Sequence, residues 1–84
     1  MKSKIKGIHM TELQKGYVKW FNDQKGYGVI ESEAGQSVFV HYTAIKNSEQ
    51  HRTLLKNSLV QFKVMQGIKG AQAEEVMVIH IYHE

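Results

Sequence analysis

Lys25-Gly26-Tyr27-Gly28-Val29-Ile30, followed by Val38-Phe39-Val40-His41-Tyr42, is the stretch on which the reading of this chain turns. Both segments are short, rich in aromatic and β-branched residues, and flanked by turn-forming residues, as strands are. Successive side chains of a strand point to opposite faces. In the first segment Gly26, Gly28 and Ile30 therefore share one face, and Lys25, Tyr27 and Val29 the other. A lysine is rarely buried without a partner. The face carrying Lys25 is thus the outer one, and the glycines suit a curved wall where backbones approach closely. In the second segment Val38 and Val40 are natural core, which sends Phe39 and His41 outward. Side by side, the two strands gather Lys25, Tyr27, Phe39 and His41 on one face, with Trp20 and Tyr42 at its edges. Exposed aromatics in this number on a small domain mark an interaction site.

Working outward, residues 16–22 read as a preceding strand, and Asn22-Asp23-Gln24-Lys25-Gly26 as the turn between them. Alternation from Val18 places Trp20 inward, so a β-bulge or an edge position is needed to turn it out. Residues 26–31 form the second strand, 32–36 a turn and 37–42 the third strand. Residues 43–58 are a longer polar connection, with a short helical turn at Thr43-Ala44-Ile45 and with Ile45 and Leu54 as apolar anchors. Residues 59–66 alternate again, Val60, Phe62 and Val64 on one face and Gln61, Lys63 and Met65 on the other. Gly67-Ile68-Lys69-Gly70 is a loop, and residues 71–82 a last strand, apolar from Val76 to Ile81. Five short strands without a long helix predict an all-β, five-stranded antiparallel barrel. Residues 1–14 read as a polar, poorly ordered leader, leaving 15–84 as the folded domain.

The 84 residues suffice for one small domain. There are no cysteines, so neither disulfides nor thiolate-bound metal staple the fold, which fits a reducing cytoplasm. No apolar run approaches the length of a membrane span, and residues 1–10 carry lysines but no apolar stretch of the signal-peptide kind. The formal net charge is +3, with a pI of about 9.2. This mild excess permits a polyanionic partner. It gains meaning because Lys15, Lys19 and Lys25 flank the aromatic segment.

Rings beside lysines on an exposed sheet suit unpaired bases. Every base offers a π-face, and stacking contributes roughly 1–3 kcal/mol per base. Lysines attract the phosphates in a salt-dependent way. The other use of such a face is to bind a peptide or a second subunit, as a small protein-interaction barrel. A peptide face has no general need of Lys19 and Lys25 among its rings, and its affinity depends less on salt.

The segments Gly16-Tyr17-Val18-Lys19-Trp20-Phe21-Asn22, Lys25-Gly26-Tyr27-Gly28 and Val38-Phe39-Val40-His41-Tyr42-Thr43-Ala44-Ile45 resemble the cold-shock domain. Val60-Gln61-Phe62-Lys63-Val64 and Gly67-Ile68-Lys69-Gly70-Ala71-Gln72-Ala73 resemble that family's fourth strand and last loop. The likeness runs from about Lys15 to Val76. It implies an oligonucleotide-binding (OB-fold) barrel that binds single-stranded RNA or DNA with little sequence preference. It further implies a cytoplasmic RNA chaperone, and a transcription antiterminator or regulator. By position, the implied binding residues are Lys19, Trp20, Phe21, Lys25, Tyr27, Phe39, His41 and Tyr42, with Asn22 and Lys69 as secondary contacts. Some positions depart from the family's pattern. Val29 stands where phenylalanine is usual, and Tyr27 and Tyr42 replace commoner phenylalanines. His51 lies near the place of a further loop aromatic, Ala71 where proline is common, and Ser37 where an acidic residue is common. One stacking ring is thus absent, and weaker binding is expected than with the full set.

His80 and His83 do not read as a metal site. No cysteine accompanies them, and an odd offset on a strand sends the rings to opposite faces. Glu31, Glu33, Glu74 and Glu75 fall at turns and strand ends, and no nucleophile–base set stands out, so neither an enzyme nor a cofactor is expected. A monomer is expected. The apolar stretch 76–82 offers an edge for a paired or strand-swapped homodimer.

Overall fold

The computed structural model describes residues 13–46 and 53–81. Five strands form in order: β1 (Leu13–Asn22), β2 (Tyr27–Ser32), β3 (Ser37–His41), β4 (Leu59–Gly67) and β5 (Gly70–His80). They close into a barrel in the order β1-β2-β3-β5-β4, with β4 returning to pair with β1. The barrel is mixed rather than purely antiparallel. β5 runs parallel to β3, with Phe39 opposite Gln72, and a further parallel bridge joins Ile45 to Val76. The reason is connectivity: the long segment after β3 carries the chain to the far side, so β5 returns alongside β3 in the same direction. Local strand patterns do not encode that choice.

Alternation places the core as expected. Val18, Ile30, Val38, Val40, Val60, Phe62 and Val76 are fully buried, and Ile45 and Leu54 join them from the connection. The short helical turn forms as a 3₁₀ turn at Tyr42–Ala44. Two boundaries differ from the sequence reading. β1 begins at Leu13, because Leu13 and Gln14 pair with Lys63 and Phe62 of β4 and so belong to the barrel rather than to a leader. β5 ends at His80 among the described residues. Residues 1–12, His51, Tyr82 and His83 lie outside the described residues.

Three irregularities bend the barrel. The β1–β2 register shifts between Val18 and Trp20, making Lys19 an extra residue. The β4–β5 register shifts twice. Glu75 lies within one of these shifts at φ 52°, a left-handed conformation that a non-glycine residue rarely adopts. Bulges of this kind sharpen the twist and allow a short sheet to curl shut.

Candidate nucleic-acid interface

The outer face of β1, β2 and β3 carries the aromatic residues because of two local devices. The first is the bulge at Lys19. On a regular strand Trp20 would follow Val18 into the core; instead it pairs opposite Val29 and stands 43% exposed. The second is the turn from β1 to β2. There the Asn22 carbonyl accepts from the Gly26 amide at 2.7 Å and the Asn22 Oδ1 accepts from the Lys25 amide at 2.8 Å. Gly26 takes φ +76° to complete it. The turn fixes where Lys25 leaves the sheet, and it commits the Asn22 Oδ1 to the backbone.

On this scaffold Tyr27 pairs opposite His41, and Val29 opposite Phe39. The rings meet in sequence. Trp20 meets Tyr27 edge-on at 5.8 Å between centroids, and Tyr27 stacks on Phe39 at 5.6 Å with 20° between planes. Beyond Phe39, the Lys69 Nζ sits 5.5 Å from the ring centroid, within cation–π range. The tight β4–β5 hairpin brings this lysine from a distant part of the chain. At the other end, His41 and Tyr42 approach to 4.7 Å, and the Tyr42 ring packs beside Gly26. His41 also caps the 3₁₀ turn: its Nδ1 lies 2.9 Å from the Thr43 hydroxyl and accepts from the Thr43 amide at 3.4 Å. With Nδ1 as acceptor, the neutral ring carries its proton on Nε2.

Phe21 is placed differently from the other rings. It pairs opposite Gly28, half-buried, packed against the core. A Cβ at Gly28 would fall 2.8 Å from the Phe21 Cδ1 and 2.2 Å from the Trp20 carbonyl oxygen, so only glycine permits this approach. Phe21 thus holds β1 against β2 and shows only part of its ring. Lys19 and Lys25 are exposed, Lys19 reaching Glu31 at 4.0 Å. The surface is therefore a shallow row of rings with cations at its margins, shaped for flat partners rather than for enclosing a small molecule. Among the described residues no group of three or more His, Cys, Asp or Glu side chains is placed to hold a metal ion. No helix there is long and apolar enough to cross a membrane.

Comparison with known proteins agrees with this geometry. The family model described as the 'Cold-shock' DNA-binding domain matches residues 14–79. The chain belongs to the cold-shock domain family. It is 51% identical over 65 residues to cold shock protein CspB of Bacillus caldolyticus, covering 77% of this chain and 97% of that one. It is 47% identical over 70 residues to cold shock protein CapB of Pseudomonas fragi, covering 83% of this chain and all of that one. It is 48% identical over 64 residues to cold shock-like protein CspLB of Listeria monocytogenes, covering 76% and 96%. The cold-shock domain is a nucleic-acid-binding domain and not an enzyme.

Proposed function

We propose that this cold-shock-domain protein binds single-stranded RNA or DNA on its ring face and acts in the cytoplasm as an RNA chaperone. The observation that supports this most directly is the unbroken run Trp20–Tyr27–Phe39 with Lys69 over its end. Rings in this arrangement stack on bases of any identity. Lys19, Lys25 and Lys69 lie where the phosphates of the same strand pass, and His41 and Tyr42 extend the row. Bases in a duplex are hidden in the stack, so the face engages only strands that have opened. Binding the open form lowers its free energy and shifts a structured RNA toward melting by mass action, without ATP. The same capture of a nascent hairpin is the chemistry of transcription antitermination, the regulatory role proposed with it. Barrel closure, which gives every strand two neighbours, supports a monomeric working unit.

The test is quenching of the single tryptophan, Trp20, by oligothymidine at low and high salt, followed by opening of a fluorescent RNA hairpin. Saturable quenching that weakens with salt, with hairpin opening at the same protein concentrations, is expected. Quenching without hairpin opening would overturn the chaperone role. Salt-independent binding of peptides, without quenching by oligonucleotides, would favour a protein-interaction barrel.

A further inference from the structure

The row of rings does not end at Trp20. Beside the indole, at the Tyr17–Glu31 pair, lies a groove of about 610 Å³ lined by Tyr17, Lys19, Trp20, Glu31, Glu33 and Lys56, among others. It is built by the next pair along the same outer face: the bulge brings Trp20 opposite Val29, and the pair beyond is Tyr17 opposite Glu31. Tyr17 and Trp20 are each 43% exposed, so two aromatic side chains flank the opening. Asn57, whose amide donates to the Val18 carbonyl at 2.8 Å, holds the segment carrying Lys56 against β1 and closes the groove's far side.

The charges decide what fits there. Two lysines and two glutamates line it, so its formal charges balance and do not by themselves select a phosphate over a base. Glu31, about half exposed and 4.0 Å from the Lys19 Nζ, has acceptor capacity left toward solvent. Aromatic walls with carboxylate acceptors between them suit a flat heterocycle that presents N–H donors. Adenine, cytosine and guanine carry exocyclic amino groups; thymine and uracil present carbonyls at those positions. Building on the single-strand reading above, we infer that this groove is an additional base subsite. It extends the bound strand by one nucleotide past Trp20, between Tyr17 and Trp20, and Glu31 favours a base with an exocyclic amine.

The experiment measures affinity by Trp20 quenching for thymine tracts of four to nine nucleotides, and for the same tracts with cytosine at either end. The proteins are the parent chain and its Tyr17→Ala, Tyr17→Phe and Glu31→Gln variants. In the parent, affinity rises with length until the groove is occupied. Tyr17→Ala leaves short tracts unchanged and weakens the longer ones by roughly tenfold, the low end of a lost base stack. Tyr17→Phe, which keeps the ring, retains the parent profile. Cytosine at one end only strengthens parent binding by roughly tenfold or more, as one charge-assisted hydrogen bond would, and Glu31→Gln loses most of that gain. A Tyr17→Ala loss equal at every length, or no loss at any length, overturns the subsite, and absence of a cytosine preference overturns the role of Glu31. If the parent itself binds no oligonucleotide, the single-strand reading fails. That result is distinct from a parent that binds and a Tyr17 variant that binds identically.

Discussion

Val29 is the residue at which a single side chain sets the strength of the site. It lies between Trp20 and Phe39 across three adjacent strands, on the face where every flanking ring is aromatic. A Val29→Phe substitution adds a ring to the middle of the row without entering the core. Its expected effect is about ten- to a hundredfold tighter binding of oligothymidine, corresponding to roughly 1–3 kcal/mol for one more stacked base. Trp20 quenching measures it, and an unchanged dissociation constant would mean that bases do not pass over Val29. The outward positions of Tyr27, Phe39 and His41 were legible from alternation alone, because a lysine and two valines fix which face is which. The orientation of Trp20 was not. Alternation from Val18 turns it inward, and only the bulge, which depends on how β1 meets β2 in space, reverses it. Lys69 over Phe39 was equally beyond strand pattern, since the contact exists only once β5 lies beside β3.

At the scale of elements, the closure of β1 on β2 depends on Gly28. Its missing side chain leaves room for the Trp20 carbonyl and for Phe21. Gly28→Ala forces the two strands apart at the place where the rings are mounted. It is expected to cost on the order of 1–3 kcal/mol, as overpacking does. The same change should weaken oligonucleotide binding, because Trp20 and Tyr27 lose their edge contact. Thermal unfolding and quenching titrations on one sample test both effects, and full stability with full binding would contradict the role given to Gly28. Strand existence was legible here from β-branched runs and turn residues. Strand direction was not, since the parallel β3–β5 pairing follows from the route of the connection. Nor were the irregularities of β5, where a glutamate, Glu75, takes a left-handed conformation that its residue type does not announce.

For the molecule as a whole, one small core carries the stability. Phe62 is the largest fully buried side chain in it. Phe62→Ala is expected to remove about 3–5 kcal/mol, against a total of about 5–15 kcal/mol for folded domains generally. Urea unfolding followed by circular dichroism should therefore show a midpoint well below the parent's; a midpoint near the parent's would show that the barrel collapses around the gap. The same whole-molecule view applies to charge. The net charge of +3 is modest, so the salt dependence of binding reports local lysines rather than a global field. Each phosphate contact on a single strand contributes a slope of about −0.7 in log K against log salt. Lys25→Gln should reduce the parent's slope by about that amount and leave the ring contacts intact. An unchanged slope would place Lys25 away from the strand's path.

The extra residue in β1 has one more consequence. A nucleotide is a flat, uncharged ring and an anion joined through a sugar, and gripping it takes two unlike prongs side by side. A regular strand does not offer this from consecutive residues, since neighbours face opposite ways and the same side recurs only at every second position. By slipping the register at Lys19, the chain sets an ammonium and an indole, adjacent in sequence, on the same groove. One inserted residue thus converts a strand into a two-pronged clasp.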